Sequence, residues 1–115
     1  MSKNIKVSVI VNCFNGQKYL HQCIGSILNQ EYQNFEIIFW DNNSSDDSIE
    51  IAKKFKDDRI KIFKNTITEK LYKARNKAIN KSSGELIAFL DCDDWWETDF
   101  LSSREKAFND INYDF

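Results

Sequence analysis

The 115-residue sequence contains no proline, three glycines and one histidine. With so few chain breakers it has no linker, no low-complexity stretch and no internal repeat, and its length suits one domain. A dinucleotide-binding oxidoreductase needs Gly-x-Gly-x-x-Gly after its first strand, and Val11-Asn12-Cys13-Phe14-Asn15-Gly16 does not supply it. The cysteines, Cys13, Cys23 and Cys92, are odd in number and too widely spaced for a Cys-x-x-Cys metal site. They read as reduced thiols, with Cys23 in the core. His21 stands beside the apolar stripe of a helix and reads as structural.

Long apolar runs are missing as well. Nothing approaches the ~20 residues of a membrane span. The apolar stretch Val7–Val11 behind Met1-Ser2-Lys3-Asn4-Ile5 is too short for a signal peptide. Sixteen Lys and Arg stand against 18 Asp and Glu, so no basic field draws nucleic acid or an anionic membrane. The expectation is a soluble, cytoplasmic chain. Any membrane association, peripheral to the inner face, would come through parts of a longer parent protein.

What is present suffices for a core. Hydrophobic residues make up 42% and aromatic residues 14% of the chain, and a domain of this size buries roughly two-thirds of its unfolded surface. Lys6–Val11 is a β-branched run expected as a buried strand. Asn15 is expected to cap the following helix, whose apolar stripe is Leu20, Cys23, Ile24, Ile27 and Leu28. Phe35–Trp40 is a second strand ending at Asp41. Ser44 or Ser45 is expected to cap a second helix, with Asp46 and Asp47 in its first turn and Ile49, Ala52 and Phe55 buried. Ile60–Phe63 is a third strand, and Thr68 to about Asn80 a third helix stopped by Ser82-Ser83-Gly84. Leu86–Leu90 is a fourth strand. A last helix from about Thr98 uses Phe100, Leu101, Ala107, Phe108 and Ile111.

This β-α-β-α-β-α-β-α order predicts a three-layer α/β/α fold with a mainly parallel sheet. All strands then end on one rim, where open α/β sheets bind ligands. Asn12, Asp41 and Asp91 each follow a strand and so converge there. If the chain leaves the fourth strand extended, Asp91 and Asp93 point the same way and Cys92 the other. Such a carboxylate pair suits a hard divalent cation, which takes one or two carboxylates and completes its shell with water and phosphate oxygens. The same spacing also fits an acidic loop in which Asp93 or Asp94 opens the next helix. Asp41 can accept from an N–H donor, or from its own backbone in a turn. Lys70 and Arg75 either reach a phosphate or base or lie on a solvated helix face. Trp95-Trp96 can floor a sugar site or serve as packing.

Taken together, the segments resemble the first half of family-2 glycosyltransferases. Val7–Gly16 is similar to the family's opening strand and its Pro-Thr-Tyr-Asn loop. Leu20 with Ser26-Ile27-Leu28-Asn29-Gln30 resembles its first helix. Phe35–Asp46 resembles Phe-Glu-(Ile/Leu)-Ile-Val-Val-Asp-Asp-Gly-Ser-Thr-Asp. Ala74-Arg75-Asn76 and Gly84–Asp94 resemble Ala-Arg-Asn and Gly-Glu-x-Ile-Ala-Phe-Leu-Asp-x-Asp-Asp. The resemblance spans nearly the whole chain with the motifs in order.

The resemblance implies the Rossmann-like half of a GT-A fold that binds a nucleotide-diphosphate sugar, most commonly a UDP-sugar, with Mn²⁺ or Mg²⁺. Asn12, Cys13 and Phe14 would line the base pocket and Asp41 would bond the base. Asp91 would face the ribose or the metal, Asp93 would bind the metal, and Lys70 and Arg75 would add donor contacts. The reaction implied is an inverting transfer to the hydroxyl of a glycan or lipid-linked acceptor. Residues 1–115 would be the donor-binding part, with the acceptor half and the catalytic base beyond a next strand beginning near Asn112–Phe115. An inactive nucleotide-binding module is the alternative. A phosphorelay receiver is the weaker one, since it requires an acidic pair where Asn12-Cys13 stands and a lysine ending a fifth strand. The chain departs from the family at Asn12, which replaces proline, and at Asn42 and Asn43, which replace Asp and Gly. Asn tolerates left-handed backbone, so Asn43 can keep the turn.

Overall fold

Two runs of seven consecutive buried residues, β1 (Val7–Cys13) and β2 (Phe35–Asp41), form the middle of the sheet. Strands covered on both faces have no polar face to alternate with, which explains why apolar residues predominate on both sides, with Ser8, Asn12, Glu36 and Asp41 the buried polar exceptions. β3 (Ile60–Lys64) and β4 (Leu86–Phe89) flank them in the order β3-β2-β1-β4, and every pairing is parallel. The computed structural model describes residues 4–113, with side chains through Asp110.

The helices α1 (Gln17–Leu28), α2 (Ser48–Lys54), α3 (Leu71–Asn80) and α4 (Phe100–Tyr113) complete three layers. Leu20, Cys23, Ile24 and Ile27 of α1, Ala52 of α2 and Leu101 of α4 pack with Val7, Val9, Val11, Ile37 and Phe39 on one face. Ala74 and Ala78 of α3 cover Ile10, Ile38 and Trp40 on the other. Small residues let α3 lie close to the sheet. Among the described residues, no helix is long and apolar enough to cross a membrane.

The chain winds outward through β1, β2 and β3, then returns to place β4 on the far side of β1. The strand order therefore reverses between β1 and β4, and a crevice opens at their carboxyl ends. At the opposite ends, the buried Glu36 ties the strands together. Its carboxylate accepts from Ser8 Oγ at 2.6 Å, Ser83 N at 2.6 Å and Lys61 Nζ at 2.8 Å. Burial alone would raise its pKa, but these partners outweigh it and hold it at about 2.

Several local expectations need correction. Asn15 does not cap α1; Gly16 holds that position, and Asn15 is left-handed at φ 52° with Oδ1 accepting from Ser45 N. Neither Ser44 nor Ser45 caps α2, because Ser44 Oγ is taken by Asn15 N. Asp46 and Asp47 precede that helix, and Asp46 Oδ1 accepts from Ser48 N at 3.0 Å. The third helix starts at Leu71 rather than Thr68, since the residues before it are pinned to Asn42. Gly84 does not end α3 by a left-handed turn. It is needed because a Cβ there would lie 2.7 Å from Ser8 N and 2.8 Å from Lys6 O.

β1 extends through Asn12 and Cys13 and β2 through Asp41, so these residues belong to the strands instead of following them. β4 stops at Phe89, two residues before Asp91. The last helix begins at Phe100, not Thr98. Asn112 and Tyr113 continue it where a strand was expected to begin. The side chain of Ile111, residues 1–3, Asp114 and Phe115 lie outside the described residues.

Candidate functional site at the carboxyl rim

The crevice between β1 and β4 holds a cleft of about 390 Å³. Asn12, Phe14 and Asn15 reach it from the end of β1, Gly16 and Tyr19 from the start of α1, and Leu71 from the start of α3. Asp91, Cys92 and Asp93 close it from the chain that leaves β4. Phe14 is 52% exposed, and its ring offers the cleft an apolar face that suits a planar ligand.

Beyond β4 the chain turns instead of running on extended. Asp94 N donates to Asp91 O at 3.0 Å, closing a turn over Cys92-Asp93. Cys92 is nonetheless buried, and Asp91 and Asp93 are exposed carboxylates lining the same cleft. Asp94 Oδ1 accepts from Trp95 N at 2.9 Å, and the next helix opens only at Phe100. The reading in which Asp93 or Asp94 starts that helix is therefore excluded. Arg75 Nη2 lies 3.4 Å from Asp91 Oδ1, with its guanidinium over the Phe89 ring at 5.1 Å.

Under the cleft sit groups that the strands hold rigidly. Cys13 and Asp41 are register partners at the ends of β1 and β2, and both are buried. Asp41 Oδ2 accepts from Ser44 N at 2.8 Å, the turn role foreseen for an isolated aspartate. Its Oδ1 is buried without a partner, as is Asn12 Nδ2 one residue along the neighbouring strand. Trp40 Nε1 and Glu69 Oε2 are unpartnered too; buried polar atoms in this state are costly, and those at the rim are open to a ligand. Cys13 hydrogen-bonds to Cys92, which pushes the Cys13 thiol up and draws Cys92 down.

The loops after β1 and β2 are cross-linked around this floor. Asn15 N donates to Ser44 Oγ at 2.8 Å, Gly16 N to Ser48 Oγ at 3.0 Å and Asp47 N to Gln17 Oε1 at 2.9 Å. Asn43 takes a left-handed φ of 64°, as expected from its tolerance of that region. Asn42 ties the loop after β3 to the end of β2. Its Oδ1 accepts from Glu69 N and Asn65 Nδ2, and its Nδ2 donates to Glu69 O at 2.7 Å, so it sets the loop that delivers Leu71.

Of the residues singled out in the sequence, Asn12, Phe14, Asp91 and Asp93 meet in the cleft, and Arg75 joins through Asp91. Cys13 and Asp41 form the floor. Lys70 is exposed at the N-cap position of α3, where its carbonyl accepts from Ala74 N; it does not line the cleft. Asn15, Gly16, Tyr19, Leu71 and Cys92 were missed. Tyr19 is 45% exposed beside the buried Leu20, and an aromatic residue just off the apolar stripe at a helix start was the available signal. Among the described residues, no group of three His, Cys, Asp or Glu side chains is placed to hold a metal ion. A cation here would rest on two carboxylates, the number Mg²⁺ and Mn²⁺ accept when phosphate completes the shell.

Residues 8–115 match the model of glycosyl transferase family 2. The chain is 40% identical over 108 residues to the Escherichia coli UDP-Glc:alpha-D-GlcNAc-diphosphoundecaprenol beta-1,3-glucosyltransferase WfaP, covering 89% of this chain and 43% of that protein. It is 39% identical over 112 residues to the Campylobacter jejuni GalNAc(5)-diNAcBac-PP-undecaprenol beta-1,3-glucosyltransferase, covering 91% and 35%. The crystal structure of S. aureus TarS residues 1–349 with UDP-GlcNAc superposes with a TM-score of 0.86 at 28% identity, covering 95% of this chain and 32% of that one. The chain thus spans less than half the length of these relatives. Its fold is that of GT-A glycosyltransferases, and it belongs to glycosyl transferase family 2.

Proposed function

We propose that residues 1–115 are the donor-binding part of an inverting glycosyltransferase that takes its sugar from a nucleotide-diphosphate sugar, a UDP-sugar first of all. The observation that carries this reading is the pair of buried, unpartnered atoms Asp41 Oδ1 and Asn12 Nδ2. The register pairs Asn12 with Trp40 and Asp41 with Cys13, so the two side chains leave opposite faces of the sheet and would meet a base as separate contacts at the rim. The relatives support the choice of base, since one is named for UDP-Glc and another was solved with UDP-GlcNAc.

In this mechanism Asp41 accepts from the base, Asn12 donates to it, and the exposed Phe14 ring gives it an apolar face. Lys70, next in sequence to the cleft residue Leu71, would add a phosphate contact. Asp91 and Asp93 would hold Mn²⁺ or Mg²⁺ against the diphosphate, and Arg75 keeps Asp91 turned toward the cleft. Such an ion stabilises negative charge building on the departing nucleoside diphosphate. The acceptor, a glycan or lipid-linked hydroxyl on the cytoplasmic side, would be bound and deprotonated by groups outside these residues.

Asp41→Asn tests the reading. The variant keeps an oxygen for Ser44 N and turns the free acceptor into a donor that opposes the base N–H. UDP affinity should fall at least about tenfold, a cost on the order of 1.4 kcal/mol, with the unfolding midpoint nearly unchanged. Equal UDP binding by the two proteins would contradict it.

A further inference from the structure

Cys13 and Cys92 come from opposite sides of the switch crevice and meet beneath it. A Cβ placed on Gly16 would lie 2.9 Å from Cys13 Sγ and 2.5 Å from Cys92 Sγ. Two sulfurs that come within 2.9 Å and 2.5 Å of one point are neighbours. The strand register and the turn after it explain the meeting. β1 and β4 pair through Ile10↔Phe89, and Leu90 N still donates to Ile10 O. Past that pair the chain turns, and the turn carries Cys92 beneath the cleft to Cys13, where both sulfurs lie within 2.9 Å of one point.

Access to the two differs. Cys92 is 9% exposed and lines the cleft, whereas Cys13 is 1% exposed behind it. One sulfur can be reached by a small oxidant, and the other is placed to resolve the product.

We propose that Cys13 and Cys92 are a reversible disulfide site, closed by hydroperoxide, that shuts the cleft to nucleotide. Cys92 sulfur attacks a peroxide oxygen and the O–O bond breaks. The departing oxygen takes a proton and leaves as water or alcohol, and Cys92 becomes a sulfenic acid. Cys13 sulfur then attacks Cys92 sulfur, the S–O bond breaks, and the oxygen leaves as water with the Cys13 proton. The two sulfurs have together given two electrons to the peroxide, and a dithiol returns them. Because Cys92 stands between Asp91 and Asp93, the new bond draws their turn toward β1. This consequence for nucleotide rests on the donor-binding reading above; the bond itself does not.

Peroxide treatment of the 115-residue chain, followed by peptide mapping, tests the site. Expected is a monomer lighter by two hydrogens with a Cys13–Cys92 cross-link that dithiothreitol reverses. Cys23→Ser should oxidise in the same way, while Cys13→Ser and Cys92→Ser should each form no internal disulfide. Cys23 is the informative control because its Sγ lies 3.5 Å from Asp91 O. A cross-link involving Cys23, dimers only, or three free thiols after treatment would overturn the site. Oxidised protein should bind UDP at least about tenfold more weakly than reduced protein. A disulfide that forms without altering UDP binding overturns the closure. A reduced chain that binds no UDP while the disulfide still forms refutes the donor-binding reading instead.

Discussion

Asp93 and Asp94 are adjacent acids with different surroundings. Asp93 lines the cleft, whereas the Asp94 carboxylate is engaged by Trp95 N. Asp93→Ala should remove the metal-dependent part of UDP binding, a loss of at least about tenfold, since even residues behind a metal's direct ligands are worth 10–100-fold. It should leave the unfolding midpoint within about 0.5 kcal/mol of the parent, because the side chain is exposed. Asp94→Ala should keep metal-dependent binding. Calorimetric titration of both variants with UDP and Mn²⁺ checks this, and equal losses would remove Asp93 from the metal site. These acids were legible in the sequence as a spacing. Their geometry was not, because the turn is closed by a backbone bond from Asp94 N to Asp91 O that no side-chain pattern announces.

The elements themselves were legible because hydrophobic period is a strong signal. The stripe from Leu20 to Ile27 became the buried face of α1, and the apolar run at Phe35 became a central strand. Boundaries failed wherever a distant partner decides them. Asn42 holds Glu69 across 27 positions and so delays α3, and Asp46, one residue before the N-cap Asp47, accepts from Ser48 N where a serine cap was expected. Asn42→Asp tests the first case. Aspartate would keep both accepted bonds but lose the donated one and set a carboxylate against the Glu69 carbonyl. A loss of about 1–2 kcal/mol in urea unfolding is expected, and an unchanged midpoint would free the loop from Asn42.

Glu36 was read in the sequence only as part of a family motif, yet it joins β1, β2, β3 and the approach to β4. Its folded pKa of about 2 lies below the ordinary 4.5. A depressed carboxyl contributes stability that is present above 4.5 and lost as pH falls toward 2. Glu36→Gln should therefore be less stable than the parent at pH 7, and its stability should fall less steeply over that interval. Urea unfolding at a series of pH values reads both. Asp57, also held at about 2 by Arg59, contributes to the same fall in both proteins and does not obscure the difference.

The three-layer arrangement turns these local facts into a ligand site. Parallel winding puts Asn12, Asp41 and Asp91 at one rim, and the return of the chain to β4 opens the cleft between β1 and the acidic turn. The relatives it matches are more than twice as long, and no step of acceptor activation is assigned to these residues. The 115-residue chain should accordingly bind donor nucleotide and transfer no sugar. The most direct test is calorimetric titration of the folded chain with UDP, first with Mn²⁺ and then with EDTA. Saturable one-to-one binding that weakens at least about tenfold without the metal is the predicted result. A chain that is folded by circular dichroism yet binds UDP no better with Mn²⁺ than without it would contradict the account.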